Sequence, residues 1–389
     1  MNTEGIFLKT MSNPSYKYEL NKTDYFFSPP DSKMITIVLC LIIVGLLAIF
    51  SAGAPKCAAD GLESTFFVQR QFNWFLIGIF FTVGISFFPY RLLDKLAIPF
   101  AYVVLLLLVG VEVAGVTVNG ATRWLALGPI QFQPSEAAKL SVIMLLASAF
   151  SRSTNIFNLN HSAKYLFPIA LMLIFILKQP NLSMVIILCL SSLFMFFAAG
   201  GSLKVVFSSI ALGVLGVFVA IQSFQKQRIL TWLNPEADPY GAGYNIIQAM
   251  MAFVSGGVFG VGYGNSSQKL GWLPEGHTDF IFAIFGEEFG FLGCFLVIGL
   301  FIAFLQRGLK ISSRCEDTFG KLLAAGITVS ITVQALINFG VSSSMIPATG
   351  VPLPFISYGG TSLFMTMLMV GILLNVSKKK IRRLPTNVQ

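Results

Sequence analysis

The sequence predicts an all-α polytopic membrane protein of about ten transmembrane helices. Three observations carry this. Hydrophobic residues make up 55% of the 389-residue chain and charged residues only 11%, where a soluble domain carries about 25% charge. The mean hydropathy is +0.77. The apolar residues are gathered in runs close to the roughly 20 residues that a helix needs to cross the hydrocarbon core. A water-soluble globule, a disordered chain, a coiled coil and a disulfide scaffold do not fit these values.

The runs fall near residues 34–52, 71–89, 96–115, 135–150, 164–178, 182–199, 204–222, 278–305, 320–342 and 358–376. The first follows a polar stretch, 1–33, and is long enough to stay as a span, so no cleavable signal peptide is expected. The fourth and fifth carry the weakest apolar signal. An even number of spans puts both termini on one side. Most of the 26 Lys and Arg residues then fall on that side, among them Lys33, Arg91, Lys95, Arg152, Arg307, Lys310, Arg314 and Lys378. Basic loops mark the cytoplasmic side, so both termini are expected there. The formal net charge of +9 reflects this orientation rather than nucleic-acid binding. The expected organisation is a cytoplasmic tail over 1–33, a membrane domain over 34–376 and a basic cytoplasmic tail over 377–389.

The cysteines, Cys40, Cys57, Cys189, Cys294 and Cys315, have no metal-ligand spacing and read as structural. The longest loop, 223–277, lies on the outer side, with a short helix expected near 243–254. Its aromatic residues, Trp232, Tyr240, Tyr244, Phe253 and Trp272, argue for order, and loops of this length are usually functional or disordered. Gly260, Gly262 and Gly264 do not make a nucleotide loop, because no strand–turn–helix context surrounds them. No internal repeat of the inverted-transporter kind is evident.

Three outer segments are polar out of proportion to their surroundings. The first runs from Asn119-Gly-Ala-Thr-Arg-Trp124 to Gln131-Phe-Gln-Pro-Ser-Glu-Ala-Ala-Lys139. Pro134 suits the first position of a helix. Glu136 follows in the first turn, near the positive end of the helix dipole, and shares a face with Lys139. The pair either anchors the helix end or serves function, as intramembrane charges do by default. The second segment is Leu273-Pro-Glu-Gly-His-Thr-Asp-Phe-Ile-Phe, followed by Glu287 and Glu288. These glutamates lie about 12 Å along a helix from Asp279, too far for a close carboxylate dyad. Asp279 therefore acts alone or with a cation, or caps the helix; His277 is either a ligand-facing group or a solvated loop residue. The third segment, Asn338 through Pro347-Ala-Thr-Gly-Val-Pro-Leu-Pro-Phe-Ile-Ser-Tyr-Gly-Gly-Thr-Ser362, is broken by Pro and Gly. At membrane depth it survives only if buried in protein or lining a wet cavity.

In this order, these segments resemble the SEDS family of cell-wall proteins, which includes FtsW, RodA and SpoVE. The matching stretches are Asn119-Gly-Ala-Thr-Arg-Trp, Phe132-Gln-Pro-Ser-Glu, Asn234-Pro-Glu-Ala-Asp-Pro-Tyr-Gly-Ala-Gly-Tyr, Leu273-Pro-Glu-Gly-His-Thr-Asp-Phe-Ile-Phe and Pro352-Leu-Pro-Phe-Ile-Ser-Tyr-Gly-Gly. The resemblance runs over nearly the whole chain, from about 34 to 376. The segment Gly262-Tyr-Gly-Asn-Ser-Ser-Gln-Lys-Leu270 looks more like the division branch, FtsW, than the elongation branch, RodA. Two positions depart from the family pattern. Asn181 stands where many members have Asp, so no catalytic role carries over to it, and Thr361 replaces a common Ser.

The resemblance implies a peptidoglycan glycosyltransferase that polymerises lipid II at the outer face of the bacterial cytoplasmic membrane. It implies a class B penicillin-binding protein as partner, together with other divisome proteins, membrane lipids and an undecaprenyl-linked glycan strand. It places the essential carboxylate at Asp279. Joining a sugar hydroxyl to an anomeric carbon with loss of pyrophosphate needs a base and charge stabilisation of the leaving group. Asp279 is the expected base, Arg123 and Lys139 are expected to bind pyrophosphate or sugar, and Glu136 to position Lys139. Glu275 and His277 are further candidates for substrate binding. A divalent cation, Mg or Mn, fits the chemistry, but no ligand cluster in the sequence requires one. The rival readings are an elongation polymerase, a lipid II flippase and a scaffold for division proteins.

Overall fold

The computed structural model describes residues 25–118, 121–128, 130–152, 159–209, 211, 223–378 and 380–382. In chain order the elements are β1 (Tyr25–Phe27), α1 (Ser32–Ala59), α2 (Phe66–Phe87), α3 (Arg91–Ala114), β2 (Gly115–Val118), β3 (Ala121–Leu127), β4 (Ile130–Phe132), α4 (Pro134–Arg152), α5 (Leu159–Lys178), α6 (Leu182–Ala198), α7 (Ser223–Leu233), α8 (Tyr244–Gly256), α9 (Ile281–Arg314), α10 (Thr318–Ser342), α11 (Gly360–Ser377) and β5 (Lys380–Arg382). Every expected apolar run is helical except 204–222, most of which lies outside the described residues, as do most of the two tails and Asn119-Gly120 of the first polar segment. Among the described residues, α1, α3, α9, α10 and α11 are long and apolar enough to cross a membrane by length and composition alone. The chain is an integral membrane protein.

Asp31–Ser377 forms one compact unit. A second comprises Met1–Pro30 and Lys378–Gln389, and within it β1 and β5 pair antiparallel.

The helices begin where short polar side chains can satisfy free N–H groups. Asp31 accepts from Met34 N at 2.9 Å, Asp317 from Gly320 N at 3.1 Å and Asn181 from Met184 N at 3.3 Å. Asp31 is also paired with Arg307, and its own N–H donates to Ser377 Oγ at 3.0 Å. The start of α1 and the end of α11 therefore meet at one end of the bundle. The helices alternate direction, so β2–β4, α7, α8 and the 343–359 segment all gather at the other end.

Two features there go beyond the expected elements. The first is a small antiparallel sheet in the order β2-β3-β4, formed by the stretch that contains Arg123. Its Val and Thr residues favour extended backbone, and Val116 lies opposite Trp124. The second is α7, a helix inside the long loop. The short helix expected near 243–254 is present as α8.

α4, α10 and α11 are buried along nearly their whole length. α2 and α3 turn large apolar side chains outward, including Phe80, Leu106 and Val113. Lipid accepts an apolar outer face, so these helices lack the polar stripe that marks the surface of a soluble protein.

The segment 343–359 has no regular structure, yet Val351, Leu353, Phe355, Ile356 and Ser357 are buried. Helix side chains supply its backbone partners. Gln71 Nε2 donates to Ser357 O at 3.1 Å, Gly359 N donates to Gln71 Oε1 at 3.2 Å, and Gln334 Nε2 donates to Pro352 O at 2.9 Å. α1 presses on the segment at Gly45, where a Cβ would stand 2.4 Å from Phe355 O and 2.7 Å from Ile356 Cα. Gly45→Ala is expected to destabilise the protein by about 1–3 kcal/mol through overpacking, read as a lowered thermal unfolding midpoint in detergent or nanodiscs.

Candidate active site

Arg123 projects from β3. Its guanidinium donates through Nε to Gln179 O at 3.1 Å and through Nη2 to Pro180 O at 2.6 Å. Those carbonyls lie at the junction of α5 and α6, where Pro180 interrupts the helical path and frees backbone oxygens. The fork geometry of arginine suits this double contact and aims the remaining face of the group at one spot.

Asp279, in the tight turn before α9, lies on the Nη1 side of the guanidinium, with Gly350 beside both. The turn is held from three sides. Asn338 Nδ2 donates to Asp279 O at 2.8 Å and to Val351 O at 2.8 Å. Ser357 Oγ donates to Thr278 O at 2.6 Å. Glu275, at φ 55°, accepts from the Thr278 hydroxyl at 2.6 Å. A non-glycine residue in the left-handed region is strained, and such strain gathers at functional sites.

Gly350 closes the arrangement. A Cβ there would lie 3.4 Å from Asp279 Oδ2 and 3.6 Å from Arg123 Nη1, so the carboxylate and guanidinium flank one exposed glycine. Arg228, on α7, anchors to the same stretch through Nη1 to Ala348 O at 3.1 Å. Trp232 Nε1 donates to Ser344 O at 2.8 Å and seats α7 over it.

Asp279 is half-buried. Removal from water and the nearby charge of Glu275 raise its pKa to about 7, against the opposing pull of Arg123 and Arg228. Burial lowers the pKa of Arg123, helped by repulsion from Arg228 and opposed by Asp279; a guanidinium stays charged. The mouth thus holds a carboxylate that takes and gives a proton near neutrality, beside two fixed cations. Among the described residues, no three His, Cys, Asp or Glu side chains converge as a metal set.

The cell cycle protein family of FtsW, RodA and SpoVE matches residues 31–382. The chain belongs to this family. It is 35% identical to a probable peptidoglycan glycosyltransferase FtsW of Trichlorobacter lovleyi, over 92% of this chain and 96% of the relative. It is 38% identical to stage V sporulation protein E of Bacillus subtilis, over 90% and 97%. It is 35% identical to the peptidoglycan glycosyltransferase MrdB of Escherichia coli K12, over 89% and 93%. Among solved structures it is similar to a chain from a study of how a peptidoglycan synthase complex coordinates polymerization and crosslinking, with TM-score 0.74, 29% identity and coverage of 90% and 97%. It is also similar to the rod shape determining protein RodA of Thermus thermophilus, with TM-score 0.67, 25% identity and coverage of 90% and 96%.

Within this FtsW/RodA/SpoVE fold the remaining polar candidates take other places. Glu136 and Lys139 form a salt bridge of 2.7 Å, each side chain 1% exposed. Lys139 Nζ also donates to Gln334 Oε1, the amide that holds Pro352. The pair is buried inside the bundle. His277 is buried, not solvated. Its ring lies 4.7 Å from that of Phe67 and 5.9 Å from that of Tyr358. Burial, helped by the charge of Lys56, lowers its pKa to about 4, so it is neutral and serves as a packed aromatic. The two departures from the family pattern each make a hydrogen bond to backbone. Asn181 caps α6 through an oxygen that Asp also has, and the hydroxyl of Thr361 donates to Gln131 O at 2.8 Å. Sequence reasoning missed Arg228, a basic residue of the long loop that no motif marks.

The charges at the mouth make opposite predictions for two substitutions. In a carboxylate infrared titration, the Asp279 signal is expected near pH 7. Glu275→Gln removes a repelling anion and should move the midpoint down. Arg228→Met removes an attracting cation and should move it up. Shifts of the reverse sign would show that these groups do not act on Asp279.

Proposed function

We propose that this chain polymerises lipid II into glycan strands at the outer face of the bacterial cytoplasmic membrane, with Asp279 as the general base. The observation that carries the reading is the single carboxylate with a pKa near neutrality set between two arginines. The acceptor's 4-hydroxyl gives its proton to Asp279 as its oxygen bonds to the anomeric carbon of the donor. The bond from that carbon to the pyrophosphate oxygen breaks, and undecaprenyl pyrophosphate departs with the bonding electrons. Arg123 and Arg228 stabilise the charge that grows on the pyrophosphate, which is the larger requirement for so good a leaving group. The apolar outer faces of the helices leave the lipid tails in the bilayer.

The reading extends to biology. Ser266, Ser267, Gln268 and Lys269, in the segment that resembles the division branch, sit at the outer end of the bundle beside α9. A septal role, with a class B penicillin-binding protein crosslinking the new strands and other divisome proteins recruiting the pair, is the assignment we favour. Cytoplasmic termini, supported by the distribution of Lys and Arg, put the Asp279 mouth on the opposite, outer side.

Asp279→Ala is expected to lower strand synthesis from purified lipid II by at least about 100-fold, the usual contribution of a general base, with the protein still folded. Polymer measured on gels at wild-type rates in that variant would rule the assignment out.

A further inference from the structure

Glu287 and Glu288 are buried, and the proposed chemistry does not use them. They stand at the far end of the helical turns that begin just after Asp279. In an unbroken helix, Phe291 N–H would donate to Glu287 O and Leu292 N–H to Glu288 O. Neither bond is made. Gly290 has φ 64° and ψ −166°, outside the helical region. Phe291 N donates instead to Gly257 O at 2.9 Å and Leu292 N to Val258 O at 3.2 Å, while Val261 N donates to Glu287 O at 3.0 Å and Gly262 N to Glu288 O at 3.1 Å. Two helical bonds are exchanged for four to a loop. Only glycines permit so close an approach. A Cβ at Gly290 would lie 2.4 Å from Gly260 N, and one at Gly260 would lie 2.1 Å from Glu288 O.

The side chains close the same junction. The Glu287 carboxylate accepts from Ser266 Oγ, from Ser267 N at 3.0 Å and from Gln268 N at 3.2 Å. Consecutive N–H groups around one anion form a nest. Lys269 Nζ pairs with Glu288 at 2.8 Å and donates to Ser51 Oγ at 2.8 Å, and Ser51 Oγ donates to Glu288. The stretch from Val261 to Glu288 is thereby locked at both ends, and Glu275 and Asp279 lie on it.

We infer that Glu287 and Glu288 are positioning residues, whose carboxylates close residues 261–288 into a rigid ring that holds Asp279 against Arg123. They lie about 12 Å along the helix from Asp279, so they act through the ring and not on the reacting atoms. The inference rests on the reading of Asp279 as the base. A glutamine at 287 would set an amide N–H₂ against at least one of the three donors, so the lock needs the anion rather than the shape.

The test uses the full chain in nanodiscs with its penicillin-binding partner and lipid II. Glu287→Gln, Ser266→Ala and Lys269→Met are compared with wild type in kcat, in KM for lipid II and in the acid limb of the kcat–pH profile. A misplaced base is expected to cost at least about 10-fold in kcat with KM within about threefold. Water entering around Asp279 should also move the acid limb to lower pH, while Arg123, Arg228 and Glu275, the charged groups that face it, stay in place. Adding Glu288→Gln to Lys269→Met should recover part of the loss by removing the unpaired buried anion. A loss of kcat with the acid limb unmoved would make the glutamates merely structural and overturn the inference, as would wild-type kinetics in folded Glu287→Gln and Ser266→Ala. Ser266→Ala removes one donor only and decides the matter if Glu287→Gln does not fold. Asp279→Asn in the same assay separates the two readings. If it is inactive while the ring variants behave as wild type, the ring inference alone fails; if it is active, the assignment of the base fails.

Discussion

Irregular backbone inside an apolar bundle persists only where its N–H and C=O groups find partners, and that requirement decides where this site can be. The 343–359 segment and the turn before α9 both lack helical bonds. Their partners are amides and hydroxyls carried on helices: Gln71 on α2, Gln334 and Asn338 on α10, and Ser357 within the segment itself. Asn338 binds the carbonyls of Asp279 and Val351 together, so a single amide fixes the backbone of the carboxylate to the segment that bears Gly350. The buried Glu136–Lys139 pair joins the same frame, because Lys139 holds one end of the Gln334 amide and leaves the other for Pro352. A buried ion pair is poor evidence for stability, since desolvation offsets much of the attraction; here it orients an amide that an unsupported carbonyl needs.

The electrostatics follow from that frame. Asp279 must be desolvated enough to hold a proton near neutral pH and close enough to cations to lose it. Glu275 pushes one way and the two arginines the other, and the balance leaves the carboxylate at about 7. Arginine suits this better than lysine. Two of the Arg123 nitrogens are fixed by carbonyls at the α5–α6 junction, so the group keeps its charge and its direction without a bound metal. His277, two residues before Asp279, is held neutral among aromatic rings, and it fixes the turn from behind through the bond from Tyr358 N to its carbonyl.

Much of this is legible in the sequence, and the rest is hidden for physical reasons. Apolar length reveals the spans because lipid demands it. Asp279 and Arg123 stand out because charge at a membrane boundary is rare. Pro134 and Glu136 mark the start of α4 through helix-end chemistry. The sheet around Arg123 is not legible, because three short strands of mixed polarity between two strong helices carry little weight against them. Arg228 is hidden because its value depends on where α7 is seated, through Trp232 and Ser344, more than 100 residues apart in the chain. The burial of His277 depends likewise on Phe67 and Tyr358, which no local pattern connects to it. The exchange of bonds at Gly290 leaves only a glycine in an apolar run, which reads as helix packing.

The polar residues around the site divide by what their partners are. Asn181, Gln71, Gln334 and Asn338 bind backbone groups, and any side chain that offers the same oxygen or N–H in the same place can serve. At 181 an Asn serves as well as an Asp would, because a cap needs an oxygen, not a charge. Asp279 and Glu275 have charges as their neighbours, and their own charge sets the balance at the mouth; Arg228 adds its charge there while bound to Ala348 O. Arg123 belongs to both groups. Its Nε and Nη2 are bound to backbone carbonyls, and its Nη1 is left facing the Asp279 carboxylate across Gly350. A residue that is half frame and half chemistry links the two, since the bonds that hold Arg123 in place are the ones that aim its free edge at the spot where negative charge would develop.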